Sequence, residues 1–368
     1  MVSRGSGKRI IVLFEDDPSI RDKHKAQIEK SLHASERVVV FEDKKGTTTG
    51  PAEDHLQKLL KSKEYKGGQI GLFVCDRDLT GFNKGNVQSD RVVSEAAEQL
   101  GVPMCLYEAR GAESLFPLDL IGRWKRTEIV VDSSDDQEFG KVCAGLYHGF
   151  EKIRGDLKKI KKHEFAKMTP PEILARILNK KEEVDRIALY GAGEQDALQE
   201  LLPYYEQSKF KASAINARYH RVLGNWLYNS LLRFPGILVN EVAAASYLGI
   251  AVKNFKNKAV QKLFEAAAYK GPFAECDKWW WRRDLDKMIA AESCKTGFEY
   301  ANKKGKSVSA CRCSEGKHFK AGYYCMIRQE PVCEDDSRGG ISWFPGGADL
   351  ARVSLSEYQK IGPFMGLY

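Results

Sequence analysis

Residues 9–32 read RIIVLFEDDPSIRDKHKAQIEKSL, in which an apolar run at 10–14 leads straight into three acidic residues. A second apolar run, at 70–74, ends two residues before another aspartate. Short apolar runs of this kind indicate buried strands of a parallel sheet, and ligands bind beyond the carboxyl ends of such strands. Four acids are therefore predicted to converge on one pocket that suits a hard cation such as Mg²⁺. They are Glu15, Asp16, Asp17 and Asp76.

Strand-end acids also have a purely structural use as helix caps. Asp17 followed by Pro18 has the pattern of an N-cap residue with proline in the first helical turn. The four acids thus have two interpretations, a metal site and a set of caps, and the residues alone leave both open.

Residues 9–32, taken with GLFVCDRDL at 71–79, resemble the receiver domain of bacterial response regulators. The resemblance covers about a third of the chain. It implies a doubly wound parallel α/β sheet of the receiver or flavodoxin type, with Asp76 at the phosphoacceptor position. After the predicted fourth and fifth strands, Glu108 and Asp132 stand where that family has a Ser or Thr and a Lys.

Phosphoryl transfer needs positive charge and hydrogen-bond donors around the transferred group, and two extra carboxylates supply the opposite. We therefore expect a degenerate receiver, or pseudo-receiver, that is not switched by phosphorylation. A working phosphoacceptor at Asp76 stays as an alternative.

Composition indicates an ordinary globular protein. The length of 368 residues suggests two to three domains, and 43% hydrophobic residues suffices for their cores. Apolar runs stay well short of the roughly 18 residues of a membrane span, and the N-terminus lacks a long signal core, so a soluble cytoplasmic protein is expected.

The net charge is +8, and much of the excess Lys and Arg falls in residues 152–167 and 253–287. Such an asymmetry is typical of a regulatory module joined to a nucleic-acid-binding module, and also of solvated helix faces.

Residues 135–167 repeat apolar positions at helical spacing and predict one long helix, whose basic second half would project as a connector or dimerisation arm. A helical region is expected at 168–235. Within it, Gly191 and Gly193 form a Gly-x-Gly that lacks the third glycine of a dinucleotide fingerprint, so a glycine turn is favoured. His220 and Trp226 are expected to be core or interface residues in preference to ligands.

Residues 236–292 carry the second informative pattern. VNEVAAASYLGI at 239–250 combines small residues with a Gly249 turn, which predicts two closely crossing helices. Together with YKGPFAECDKWWWRRDLDKMI at 269–289, it resembles the winged helix of the excisionase and MerR-like families. That resemblance implies a two-stranded wing over 271–281 and places Asp284 near the start of a closing helix. Because the spacing is long, it also implies an insertion or a lengthened recognition helix.

In such a domain, side chains after the turn would face the DNA groove and its phosphates, and those beside the wing would hold the backbone. The first group comprises Lys253, Asn254, Lys256, Asn257, Lys258 and Lys262, and the second Lys278, Arg282 and Arg283. Winged helices also bind proteins, so a protein partner remains an alternative to DNA.

Nine cysteines are present, and six of them follow residue 275. Cys75, Cys105 and Cys143 are expected to be buried apolar residues. Zinc prefers paired ligands separated by two to four residues, a spacing that the C-terminal residues lack, so simple burial competes with structural zinc. The candidate zinc ligands are Cys311, Cys313, His318, Cys325 and Cys333.

The sequence thus predicts a receiver-like domain at 1–134, a connector helix at 135–167, a helical region at 168–235, a winged helix at 236–292 and a small Cys-containing α+β module at 293–368. The expected function is that of a homodimeric, DNA-binding regulatory protein without catalytic residues. The rival is an adaptor or effector, for example in antiviral defence, whose modules bind proteins. The cofactors that come into question are Mg²⁺ in the receiver-like pocket and structural zinc.

Overall fold

Five strands form an all-parallel sheet in the order β2-β1-β3-β4-β5. In the computed structural model they are β1 (Ile10–Phe14), β2 (Val38–Val40), β3 (Ile70–Asp76), β4 (Met104–Glu108) and β5 (Ile129–Asp132). The structure describes residues 9–41, 70–79, 90–109, 128–165, 167–191, 212–316 and 320–362. Both apolar runs that decided the fold prediction are strands of this sheet, and helices flank it, which confirms the α/β class.

The helices, numbered in chain order, are α1 (Pro18–Ser31), α2 (Asp90–Leu100), α3 (Asp136–Lys159), α4 (Lys162–Phe165), α5 (Pro170–Ile177), α6 (Val184–Ala188), α7 (Ala212–Trp226), α8 (Glu241–Leu248), α9 (Val252–Phe255), α10 (Lys258–Gln261), α11 (Arg282–Ala291), α12 (Gly297–Lys303) and α13 (Leu355–Ile361). Short 3₁₀ helices lie at Lys181–Glu183 and Lys262–Ala267, and a π-helical turn at Leu227–Leu231 follows α7. Among the residues described, no helix is both long and apolar enough to span a membrane.

The described residues divide into two compact units. The first contains the parallel sheet, α1 to α4 and most of α7. Val12 and Phe14 of β1 pack with Phe73 of β3 and with Val93 and Ala96 of α2 in one apolar cluster. Helices α1 and α3 pack against each other and against β1 and β3. Cys75, Cys105 and Cys143 are all fully buried in this unit, as expected.

Helix α3 differs from the predicted long helix. It begins after the N-cap Asp135 but ends at Lys159, because Ile160 adopts an extended conformation and turns into the interior. Its second half does not project: Ile153 and Leu157 are buried, and Arg154 bonds His220 of α7. The apolar residues at the end of the repeat therefore serve packing within this unit.

The second unit contains two smaller sheets. Strands β6 (Leu238–Asn240) and β7 (Trp279–Trp281) pair antiparallel. The strands β8 (Tyr323–Cys325), β9 (Glu330–Val332), β10 (Ser337–Arg338) and β11 (Ala351–Ser354) form a mixed sheet in the order β10-β11-β8-β9.

Between β6 and β7 the chain makes the tight helical turn that the sequence predicted. Asn240 caps α8 by accepting the backbone N–H of Ala243, and Gly249 ends that helix in the left-handed region with φ of 72°. The long stretch that follows is not one lengthened helix but α9, α10 and a 3₁₀ segment. Helix α11 begins directly after β7, which places Asp284 in its first turn as expected.

Candidate functional site

Three acids meet at the carboxyl end of the parallel sheet. Glu15 and Asp16 follow β1, and Asp76 ends β3, its neighbour in the sheet. One carboxylate oxygen from each of the three lies within 4.8 Å of the others. The predicted convergence of acids therefore holds for these three residues.

Glu15 is the most buried of the three, with 1% of its surface exposed. Its Oε2 accepts a hydrogen bond of 2.6 Å from the Tyr107 hydroxyl, and its Oε1 accepts the backbone N–H of Asp17 at 3.0 Å. Burial nevertheless raises the pKa of Glu15 to about 7 and that of Asp76 to about 6. The site therefore holds carboxylates at a cost in desolvation that a bound cation would offset.

Asp17 belongs to the helix instead. Its Oδ1 accepts the Ser19 side chain at 2.7 Å and the Ser19 backbone N–H at 2.8 Å, and these bonds lower the pKa of Asp17. The capping interpretation thus describes Asp17, and the structure does not group it with the other three acids.

Glu108, at the end of β4, and Asp132, at the end of β5, each have a partner of their own. Glu108 forms an ion pair with Arg77, at the end of β3. Asp132 accepts hydrogen bonds from both the backbone N–H and the hydroxyl of Ser134, in the turn that leads into α3. Glu108 and Asp132 are both acidic, so neither of them supplies Asp76 with a positively charged neighbour.

Two residues that the sequence did not single out complete the pocket. Tyr107 on β4 reaches Glu15, and His24 of α1 has its Nδ1 3.9 Å from Glu15 Oε2. Burial lowers the pKa of His24 to about 4, so the ring is neutral at physiological pH. Its Nδ1 is buried without a hydrogen-bond partner.

Four of the nine candidate DNA contacts are exposed and lie within a stretch of ten residues in the second unit. They are lysines of α9, of α10 and of the residues that follow these two helices. We call this set the lysine surface, and it comprises Lys253, Lys256, Lys258 and Lys262. None of the four forms a salt bridge with a residue that the structure describes.

The other five candidates have partners within the fold. Asn254 accepts the backbone N–H of Ser309, and Asn257 caps α10. Lys278 donates to Gln261 Oε1 at 2.9 Å. Arg282 pairs with Asp349 at 2.7 Å, and Arg283 contacts Glu183 at 3.5 Å.

Only some of the C-terminal cysteines that were candidate zinc ligands lie close together. Cys313 and Cys333 come together, and Asp336, which sequence reasoning did not consider, joins them: their ligand atoms lie within 4.8 Å of one another. Cys311 is buried outside this group, and burial raises the pKa of its thiol to about 11. Cys325 Sγ accepts the backbone N–H groups of Arg328 and Ser354. His318 lies outside the described residues.

A further group with metal-binding side chains comprises His33, Glu36 and His148 in the first unit. Glu36 Oε2 already accepts the backbone N–H of His33 at 3.0 Å and lies 2.9 Å from His148 Nε2. The two rings stack with centroids 4.7 Å apart. These contacts account for the group without an ion.

Comparison with models of known protein families gives no match for this chain, and no curated protein matches its sequence.

Proposed function

We propose that the chain is a DNA-binding regulatory protein, in which the second unit contacts the DNA backbone and the receiver-like first unit serves as a sensing or dimerisation module. The observation that carries the proposal is the lysine surface, Lys253, Lys256, Lys258 and Lys262, exposed within ten residues directly after the Gly249 turn. Lysines that project from such a turn can neutralise phosphates, the contact that dominates DNA affinity.

The order of elements supports a winged helix in this region. Strand β6 precedes α8, the turn at Gly249 leads into α9, and β7 runs directly into α11. The resemblance to the excisionase and MerR-like families assigns α9 to the recognition position and residues 271–281 to a two-stranded wing. The structure has one strand within 271–281, β7, and it pairs with β6. Tyr269 donates its backbone N–H to Trp279 O at 2.8 Å, and Ala268 bridges Trp280, as a short wing hairpin would.

The other three basic candidates already have partners within the protein, which leaves them less available for DNA. Arg282 and Arg283 hold acidic groups of the same unit, and Lys278 holds Gln261. We assign these three to the stability of the domain and the four lysines to phosphate contact. Since phosphate contacts carry no sequence information, these four lysines would contribute affinity and not the choice of DNA sequence.

In the first unit we propose a degenerate receiver whose acidic pocket responds to a divalent cation rather than to phosphorylation. Three carboxylates suit Mg²⁺, which takes oxygen ligands and keeps several waters. Glu15, Asp16 and Asp76 would hold the ion, whose positive charge would offset the repulsion between their carboxylates. Dimerisation through this unit would suit a palindromic DNA site.

The test is fluorescence anisotropy of the full chain with labelled duplex DNA across a salt series. Four phosphate contacts predict that log K falls against log salt with a slope of about −3.6. Replacing all four lysines by Gln should flatten that slope. The matched control replaces Lys270 and Lys287, two exposed lysines paired with Glu265 and Asp284, and should leave it unchanged.

A protein-binding adaptor is the second candidate, and the short α9 favours it. Its four residues, Val252–Phe255, make one helical turn, less than the recognition helices that fill a major groove. If the wild-type chain binds no duplex even at low salt, the DNA proposal fails and protein recognition by this unit becomes the better interpretation.

A further inference from the structure

We propose a zinc site in the C-terminal part of the second unit, with Cys313, Cys333 and Asp336 as its ligands among the residues that the structure describes. The proposal does not depend on DNA binding. It revises the ligand set that the sequence suggested, because two of those cysteines stand apart and a carboxylate takes part.

The distances between the ligand atoms fit a tetrahedral ion. Asp336 Oδ2 lies 3.6 Å from Cys313 Sγ and 3.2 Å from Cys333 Sγ. Zn–S and Zn–O bonds of about 2.3 and 2.0 Å at the tetrahedral angle put sulphur and oxygen about 3.5 Å apart. The two observed sulphur–oxygen distances bracket this value, and the two sulphur atoms lie within 4.8 Å of each other.

The chain spacing also fits. Two residues separate Cys333 from Asp336, which is the spacing of a ligand pair in zinc knuckles, with a carboxylate in the place of the second thiolate. Cys333 directly follows β9 and Asp336 directly precedes β10, so the turn between these strands presents both side chains together. Cys313 arrives from a separate loop.

The surroundings of Cys313 suit a charged sulphur. Its Sγ accepts the backbone N–H of Cys333 at 3.2 Å and that of Gly316 at 3.5 Å. Backbone N–H groups directed at a sulphur stabilise the thiolate that a metal requires and orient it. Both cysteines are buried, at 2% and 5% exposure, whereas Asp336 is half-buried and leaves a side open to solvent.

Without a metal, the same three groups would form a hydrogen-bonded cluster in which both thiols donate to Asp336 Oδ2. The two possibilities differ in metal content. We would express the full chain in zinc-supplemented medium, purify it without chelators and measure bound metal by mass spectrometry. The expected result is a stoichiometry near one zinc per chain. A wild-type protein without zinc would overturn the proposal.

Variants then identify the ligands. Cys333→Ser and Asp336→Asn should each lower the zinc content several-fold. The control variants are Cys294→Ser, at a cysteine outside the cluster, and Asp335→Asn, at the acid next to a ligand. Both should retain zinc. Zinc retained by Asp336→Asn would remove that residue from the site.

Cobalt substitution of the wild-type chain covers the case in which a cysteine variant does not fold. The expected spectrum has a thiolate-to-cobalt charge-transfer band and the visible bands of tetrahedral cobalt. A cobalt-loaded protein without the charge-transfer band would exclude the cysteines as ligands. DNA binding, measured by anisotropy, is a separate readout, so failure of either proposal can be recognised independently.

Discussion

The Tyr107 hydroxyl donates a hydrogen bond of 2.6 Å to Glu15 Oε2, although 92 residues separate the two in the chain. The bond joins β4 to the residue that follows β1, across the intervening strand β3. Tyr107 also packs edge-on against the His24 ring, with centroids 5.0 Å apart. The acidic pocket is therefore built on a buried polar contact as well as on strand-end acids.

Replacing Tyr107 by Phe should destabilise the first unit. The change removes the donor from a carboxylate that remains buried, and leaving such a group unsatisfied costs about 1–3 kcal/mol. Hydrogen exchange of the β1 and β3 amides would measure the loss in that unit. Tyr247→Phe, which removes a bond to the exposed Asp286 in the second unit, is the control and should cost less, as measured by exchange of the amides of α8 and α11. Equal losses of stability in the two variants would mean that the burial of Glu15 does not strengthen the contribution of its hydrogen bond with Tyr107.

Glu15 should also make stability depend on pH. Its pKa is raised from 4.5 to about 7, so the folded state binds this proton more tightly than the unfolded state. The contribution of Glu15 to stability is therefore lost as pH rises from about 4.5 to 7. Glu15→Gln does not titrate, so the variant should gain stability relative to wild type across that window.

Two neighbours titrate in overlapping windows. The pKa of Asp76 is raised from 3.8 to about 6 and acts in the same direction as that of Glu15. His24, with its pKa lowered from 6.5 to about 4, acts in the opposite direction and stabilises the fold as pH rises through that range. Both groups are present in wild type and variant, so urea titrations of the pair at several pH values separate the Glu15 contribution. A constant difference between the proteins would contradict the raised pKa.

The parts of this fold that local sequence determines were predictable. Contiguous apolar runs mark β1 and β3 because strands buried on both faces exclude polar residues. Asp17 and Pro18 mark the start of α1 because capping and proline geometry act within one turn. In both cases the decisive interaction lies within a few residues of the signal.

Other features of the fold and of the candidate sites depend on contacts between residues that are distant in the sequence. Tyr107 is an ordinary strand residue in the sequence, and its bond to Glu15 follows from strand order. Asp336 is one of several acids near Cys333, and a search for zinc ligands limited to Cys and His passes over it. The end of α3 at Lys159 likewise reflects the burial of Ile160, which helical periodicity does not distinguish from a continuing helix.

Mg²⁺ should stabilise the first unit above the pKa of Glu15, about 7, where both Glu15 and Asp76 are charged. A ligand at about 100 times its Kd adds about 2.7 kcal/mol to the free energy of unfolding. Asp16→Asn and Asp76→Asn should abolish the response in thermal unfolding. Asp17→Asn is the matched control, since asparagine also caps helices and the residue lies outside the cluster. A response lost in Asp17→Asn but kept in Asp76→Asn would place the ion elsewhere.

Gly249 should tolerate asparagine better than alanine. Its φ of 72° is left-handed, and an added Cβ would meet Phe298 Cβ at an ordinary 3.9 Å, so the penalty is conformational. Alanine there should cost about 1–2 kcal/mol, and asparagine less. Tryptophan fluorescence of Trp279–Trp281 reports unfolding of this unit. Gly155→Ala, in open space within α3, should be neutral or stabilising, and a similar loss at both glycines would contradict the role of the left-handed turn.

Lys256 and Arg282 should separate DNA contact from domain stability. Lys256 is exposed and belongs to the lysine surface, so Lys256→Gln should make the salt slope of duplex binding shallower by about 0.9 and leave stability within about 0.5 kcal/mol of wild type. Arg282 pairs with Asp349 and lies 5.6 Å from the centre of the Tyr247 ring. Arg282→Gln should leave the slope unchanged and lower stability by up to about 1 kcal/mol, the range of a partly exposed ion pair. Anisotropy and urea unfolding on the same two variants give both quantities. If only Arg282→Gln flattens the slope, Arg282 must leave Asp349 in the complex and contact a phosphate. The DNA would then lie beside β7 and not on the lysine surface.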